Sequence, residues 1–118
     1  GSVRGRNGGV RGNCIYYNEN TPTTGNEVGV QVTTIANANV GKAFLFLHGW
    51  TGLRSGNIVI NVQSSPDNST WTTIATFTMT EARSQVEPVT FTGGYIRVNV
   101  SSMGGTTNLN YSLIVSEN

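Results

Sequence analysis

From Asn26 onward the chain alternates between apolar and polar positions. In EVGVQVTTI, Val28, Val30 and Val32 fall on one face with Gly29 and Gln31 on the other, which is the period of a half-buried strand. KAFLFLHGW carries Ala43, Leu45 and Leu47 on one side and Phe44 and Phe46 on the other, so it is expected as a central strand buried on both faces. NIVINVQ turns Ile58, Ile60 and Val62 inward, GYIRVNVS does so with Ile96, Val98 and Val100, and LNYSLIVS with Leu109, Tyr111, Leu113 and Val115. TWTTIATFTM places Trp71, Thr73, Ala75 and Phe77 on one face. SQVEPVTF is a strand that Pro88 confines to an edge, because proline has no N–H to offer a second neighbour. MTEARSQ allows one helical turn at most, and no segment sustains a helical period.

Seven such runs, separated by Gly, Pro and Asn clusters, predict an all-β antiparallel sandwich or barrel. Between two of them lies SSPDNST, a hairpin loop in which Pro66-Asp67 pre-sets a type I turn and Asn68 tolerates the left-handed region. The first 25 residues differ in texture. GSVRGRNGGVRGNCIYYNENTPTTG holds six glycines and one brief apolar cluster, Cys14 to Tyr17. It is expected to be an extended Gly/Arg-rich arm (1–25) ordered by lying on a neighbouring subunit, with the sandwich domain spanning 26–118.

Composition agrees with the all-β reading. Hydrophobic residues make up 36 % of the 118 and charged ones only 11 %, while Thr and Val suit strands and Gly and Asn suit turns. A net charge of +1 gives no field strong enough to gather nucleic acid or an anionic membrane. The cations are unevenly placed, however: Arg4, Arg6 and Arg11 all precede the first acid, Glu19. No apolar run reaches the length of a membrane-spanning helix, and the opening residues lack the apolar stretch of a secretory leader.

Catalytic chemistry has few groups to draw on. One His, one Cys, one Asp and five Glu are spread over separate elements, so no catalytic residues, metal site or cofactor are expected, and the chain is not read as an enzyme. His48, at the end of a buried strand, is expected to bond one ring nitrogen to backbone. Glu81 and Glu87 are carboxylates without an evident partner, and Asp67 alone is too little for calcium. Cys14, being single, excludes an intrachain disulfide and leaves an interchain one open. Trp71 is expected to be a packed aromatic; the alternative is a stacking platform for a ligand, with Trp50 and Tyr95 as further candidates.

The run GNIVINVQSSPDNSTWTTIATFT, followed by GGYIRVNVSSMGGTTNLNYSLIVSEN, resembles small jelly-roll modules of tailed-bacteriophage virion proteins, over about Val28 to Asn118. Those modules share a strand, a serine-aspartate hairpin, a Trp strand, a GYIRVNV-like strand and a Gly-Gly-Thr turn. Capsid decoration or cement proteins are the most similar among them. The resemblance implies a jelly roll of about 7–8 strands, a place on the capsid exterior after synthesis in the host cytoplasm, and assembly as a homotrimer or dimer. It implies capsid subunits as partners, gripped by the arm through Arg4, Arg6, Arg11, Ile15, Tyr16 and Tyr17. The hairpin is also similar to those of carbohydrate-binding sandwiches, which implies the alternative of a glycan- or receptor-binding module.

Overall fold

The alternating runs become strands of two antiparallel sheets packed face to face. The computed structural model describes residues 2–7, 13–27, 29–31 and 35–118. Within them lie β1 (Ser2–Asn7), β2 (Asn13–Thr21), β3 (Gly25–Asn26), β4 (Val30–Gln31), β5 (Val40–Thr51), β6 (Ile58–Ser65), β7 (Thr72–Met79), β8 (Ser84–Thr90), β9 (Tyr95–Met103) and β10 (Asn108–Glu117). No helix occurs among the described residues. The first sheet runs in the order β1-β2-β10-β5-β8; in the second, β3 and β4 both pair with β9, followed by β6 and β7. With β3 and β4 taken as one interrupted strand and β1 set aside, eight strands pass between the sheets at every connection but the β6–β7 hairpin, in the double Greek-key order of a jelly roll. The fold class is that expected.

Inward positions make the core. Ile15 and Tyr17 of β2, Ala43, Leu45 and Leu47 of β5, and Leu109, Tyr111, Leu113 and Val115 of β10 face Ile58, Ile60 and Val62 of β6, Phe77 and Met79 of β7, and Ile96, Val98 and Val100 of β9; all are buried. Tyr17 adds a bond across the layers, its hydroxyl donating to the Ile96 carbonyl at 2.9 Å. Pro88 lies on β8, an edge strand as predicted. The Gly-Gly pair of MGGT forms the β9–β10 turn with φ of 64° at Gly104 and 87° at Gly105, a left-handed path that favours glycine. Asn68 also takes a positive φ, 61°, as its loop position suggested.

Three expectations are corrected. Residues 13–21 are not an arm: β2 is an inner strand, hydrogen-bonded to β1 on one side and β10 on the other. Its alternation was hidden because two of its four inward residues, Glu19 and Thr21, are polar yet buried. Secondly, β5 is buried on one face alone. Phe44 and Phe46 point outward and are 37 % and 41 % exposed, since no layer covers that side of the first sheet. Thirdly, His48 bonds a side chain and not backbone: its Nε2 lies 2.8 Å from Ser112 Oγ. Of the valines expected to share a face, Val30 sits in β4 opposite Ile96, whereas Val28 and Val32 lie outside the described residues.

Candidate functional site

The hairpin after β6 is built around one carboxylate. Asp67 Oδ1 accepts from the backbone N–H of Ser69 at 2.9 Å and of Thr70 at 2.8 Å, and from Ser65 Oγ at 3.0 Å. The Thr70 N–H foremost, then the Ser65 hydroxyl and the Ser69 N–H, hold the carboxyl below its usual range. These bonds occupy the group in a turn and account for its placement without a ligand.

Trp71, further along the chain, is half-buried. The Arg97 guanidinium lies 4.3 Å from the ring centroid, a cation–π contact. Arg97 is itself fixed by donating Nε–H to Gln63 Oε1 at 2.7 Å, and Gln63 donates to Thr73 Oγ1 at 3.1 Å. Gly29 meets the far edge of the indole: a Cβ there would stand 2.7 Å from Cη2 and 2.9 Å from Cζ2. Arg97 over one face and Gly29 at its edge account for that burial. The register shift between Ala75 and Thr73 leaves Thr73 with the outward Gln63 and Arg97 and apart from buried Ala75 and Phe77, which corrects the single face expected for this strand. Tyr95 begins β9 opposite Ser65 and Gln31 and is half-buried. Trp50 stands where β5 leads into the link to the start of β6, so the eight residues of β6, roughly 25 Å at 3.3 Å per residue, separate it from Tyr95. Trp50 is thus apart from the other two, whereas Trp71 and Tyr95 lie near one another: Tyr95 pairs with Ser65, and Trp71 precedes Thr72, the partner of Ser64.

The residues of the expected arm divide. Ile15 and Tyr17 are each 1 % exposed and belong to the core, so they are not partner-facing. Burial, and next the nearby Glu19 carboxylate, push the Tyr17 phenol well above its ordinary range. Tyr16 and Cys14 alternate with them and are half-buried on the outer side. Arg4 and Arg6 occupy β1 opposite Tyr16 and Cys14; Arg11 lies outside the described residues.

Two surface features escaped the sequence. One is an apolar row across the outer face of the first sheet, made by successive cross-strand partners: Tyr16 beside Ile114, Ile114 beside Phe44, and Phe44 beside Val86. Phe46 widens it, and a depression of about 300 Å³ lies among Phe44, Phe46, Ser84, Gln85 and Val86. The other is a groove of about 220 Å³ at the strand ends, lined by Asn20, His48, Gly49, Trp50, Thr51, Asn108 and Asn110. Only the apolar sum of KAFLFLHGW hinted at the first; nothing in the linear order signals the second. Among the described residues no three His, Cys, Asp or Glu side chains come together, and no helix is long and apolar enough to cross a membrane.

No family model matches this chain, and no curated protein matches it. Among solved structures, similarity is found to the mitogen of Yersinia pseudotuberculosis, at 16 % identity over 90 % of this chain and 86 % of that one, with a TM-score of 0.45. The neighbours include viral coat proteins. The Tobacco streak virus coat protein aligns at 8 % identity over 88 % of this chain and 86 % of its own, with a TM-score of 0.26. The structure of infectious bursal disease virus, Gx strain, aligns at 11 % identity over 97 % of this chain and 32 % of its own, with a TM-score of 0.28.

Proposed function

We propose that this protein is a structural component of a virus particle: a capsid decoration protein, made in the host cytoplasm, that attaches to capsid subunits on the particle's exterior. The supporting observation is the row Tyr16, Ile114, Phe44 and Val86 on the outer face of the first sheet. Phe44 and Val86 are exposed and Tyr16 and Ile114 half-buried, and apolar side chains grouped in this way on an uncovered sheet face support a contact surface. The row is flanked by basic positions, Arg4 and Arg6 on β1 in the ladders of Tyr16 and Cys14 and exposed Lys42 opposite Ser116 and Pro88. A capsid subunit presenting an apolar surface with an acidic rim is the complement. The resemblance of the β6–β10 sequence to tailed-phage virion modules favours the same reading. With Ile15 and Tyr17 in the core, attachment falls to the sheet face and not to a free arm.

The test uses Phe44→Ser/Phe46→Ser, two exposed positions whose exchange leaves the core intact. The variant is expected to keep the β-sheet circular dichroism of the parent and to lose at least about tenfold in retention on particles, as removal of two central apolar contacts implies. Retention at full occupancy would sink the reading. So would a parent that sediments as a trimer or dimer in isolation, with a variant that is monomeric yet still attaches, because the row would then be the contact between copies.

A further inference from the structure

Among the described residues the two sheets have four margins, and three of them are closed to further pairing. β1 bears Arg4 and Arg6, which repel their own copies; β8 bears Pro88; β3 and β4 are only two residues each. Such devices keep a sheet from growing at its edge. β7 lacks them. It forms the remaining margin of the second sheet, beyond β6, and from Asn68 to Thr80 the chain carries neither a charged residue nor a proline. Its one irregularity, the register shift at Ile74, leaves a regular ladder from Ala75 to Met79.

The phase of the ladders shows which groups that margin offers. Glu27 N–H donates to the Val98 carbonyl at 2.8 Å, so Val98 turns its backbone groups toward β3, and Arg97 and Asn99 turn theirs toward β6. Asn61 and Gln63, opposite those two, bond to β9, which leaves Ile60 and Val62 to face β7. Their partners Phe77 and Ala75 point back to β6. Thr76 and Thr78 therefore aim N–H and C=O away from the sheet. A separate contact agrees, since the Thr78 carbonyl accepts from Nη2 of exposed Arg83 at 3.3 Å. That guanidinium serves one of the four groups and leaves three open to an added strand.

A second copy of β7 is the strand that fits. With Phe77 opposite its own copy on a twofold axis, Thr76 stands opposite the second copy's Thr78, and each such pair exchanges two N–H to C=O bonds. The threonine side chains are exposed, so the facing pairs are Thr with Thr, which favour pairing, and no like charges meet. A net charge of +1 hardly keeps two copies apart. We infer that two copies of this chain join β7 to β7 across a twofold axis and merge their second sheets into one. Such an edge contact uses the same strand on both copies, so it closes as a dimer and not a trimer. It leaves the outer face of the first sheet, and with it the capsid contact, uncovered.

The experiment is sedimentation equilibrium of the full chain from about 10 µM to about 1 mM, paired with amide hydrogen exchange over the same range. For two short strands a Kd on the order of 0.1 mM is expected, so the weight-average mass rises about 1.5-fold and exchange at the Thr76 and Thr78 N–H slows about fourfold. Exchange at the Phe77 N–H, already in the β6–β7 ladder, changes little. Thr78→Pro removes an N–H from the free side alone, and Thr76→Lys/Thr78→Lys sets like charges opposite one another. Both are expected to keep the β-sheet circular dichroism and to stay monomeric. Phe44→Ser/Phe46→Ser is expected to dimerise as the parent does, which separates failure of this inference from failure of the capsid reading. A parent that is monomeric up to about 1 mM, or trimeric, would overturn the inference. So would a dimer that persists in the lysine variant or is lost in Phe44→Ser/Phe46→Ser. Protection of Thr76 and Thr78 that appears only on particles would overturn it as well, and give the edge to a capsid strand.

Discussion

Tyr17 joins the two layers through a single bond from its hydroxyl to the Ile96 carbonyl, and it does so from a site almost closed to water. Removing the hydroxyl leaves a buried acceptor short of a partner, so Tyr17→Phe is expected to lower stability by about 1–2 kcal/mol, read as a lower urea midpoint at unchanged slope. The same burial fixes an alkaline limit. Tyr17 and Tyr111 both have phenols held well above their ordinary value, in each case by burial first and by the Glu19 and Glu27 carboxylates second. A phenol whose folded pKa is raised stabilises fully below the unfolded pKa, about 10. That contribution is lost as the pH rises beyond it, because only the unfolded chain releases the proton readily. Phenolate absorbance from these two residues is therefore expected to appear together with loss of the β spectrum, in one step. Ionisation of Tyr17 and Tyr111 with the fold intact would show that the interior is not as dry as the packing implies.

Strand β2 carries weight that its composition conceals. Between β1 and β10 it closes the first sheet, and Ile15 and Tyr17 complete the core there. Ile15→Ala is expected to cost about 2–5 kcal/mol through the cavity it leaves, and deletion of residues 1–21 is expected to abolish cooperative thermal unfolding. A truncated chain that melts as sharply as the parent would return this segment to the status of an arm. At the opposite margin, β8 shows how an open edge is guarded. The bonds from Leu47 N–H to the Arg83 carbonyl and from Phe91 N–H to the Asn39 carbonyl set the phase of the β5–β8 ladder. By that alternation residues 85, 87 and 89 turn their backbone toward β5, while 84, 86, 88 and 90 turn theirs outward. Pro88 thus removes an N–H from the free side. Pro88→Thr restores it, and is expected to raise light scattering at high concentration with little change in melting temperature. What the sequence made legible follows the same physics. Strands β6, β9 and β10 alternate between core and water over most of their length, so they are legible, whereas β7 changes phase at Ile74 through a register shift that no local pattern encodes; the edge at Pro88 is legible because the missing N–H is a property of the residue itself. β2 is not, since Glu19 and Thr21 face inward. The groove is not either, because Asn20, His48 and Asn110 meet only through ladder pairing and a bulge, which no local pattern encodes.

At the scale of the molecule, one sheet face is dressed for water and the other is not. The outer side of the second sheet carries Asn61, Gln63, Thr73, Arg97 and Asn99 in a net of mutual hydrogen bonds. The outer side of the first carries Tyr16, Ile114, Phe44 and Val86 in a row. Sequence does not separate these faces, because an exposed phenylalanine and one packed under a second sheet look alike, so KAFLFLHGW reads as buried on both sides. The asymmetry sets the physical character of attachment. With a net charge of +1 over the whole chain, there is little charge to attract or repel a large partner at a distance. Contacts made by exposed cations alone weaken as salt shortens the Debye length from about 10 Å at 0.1 M to about 3 Å at 1 M, whereas apolar contact does not. If the row carries the contact, retention on particles is expected to fall less than about threefold across that range, and calorimetry is expected to give a negative heat-capacity change on binding. A steep loss with salt, with heat capacity unchanged, would transfer the contact to Lys42 and the basic positions of β1 and leave the apolar row without its assigned role.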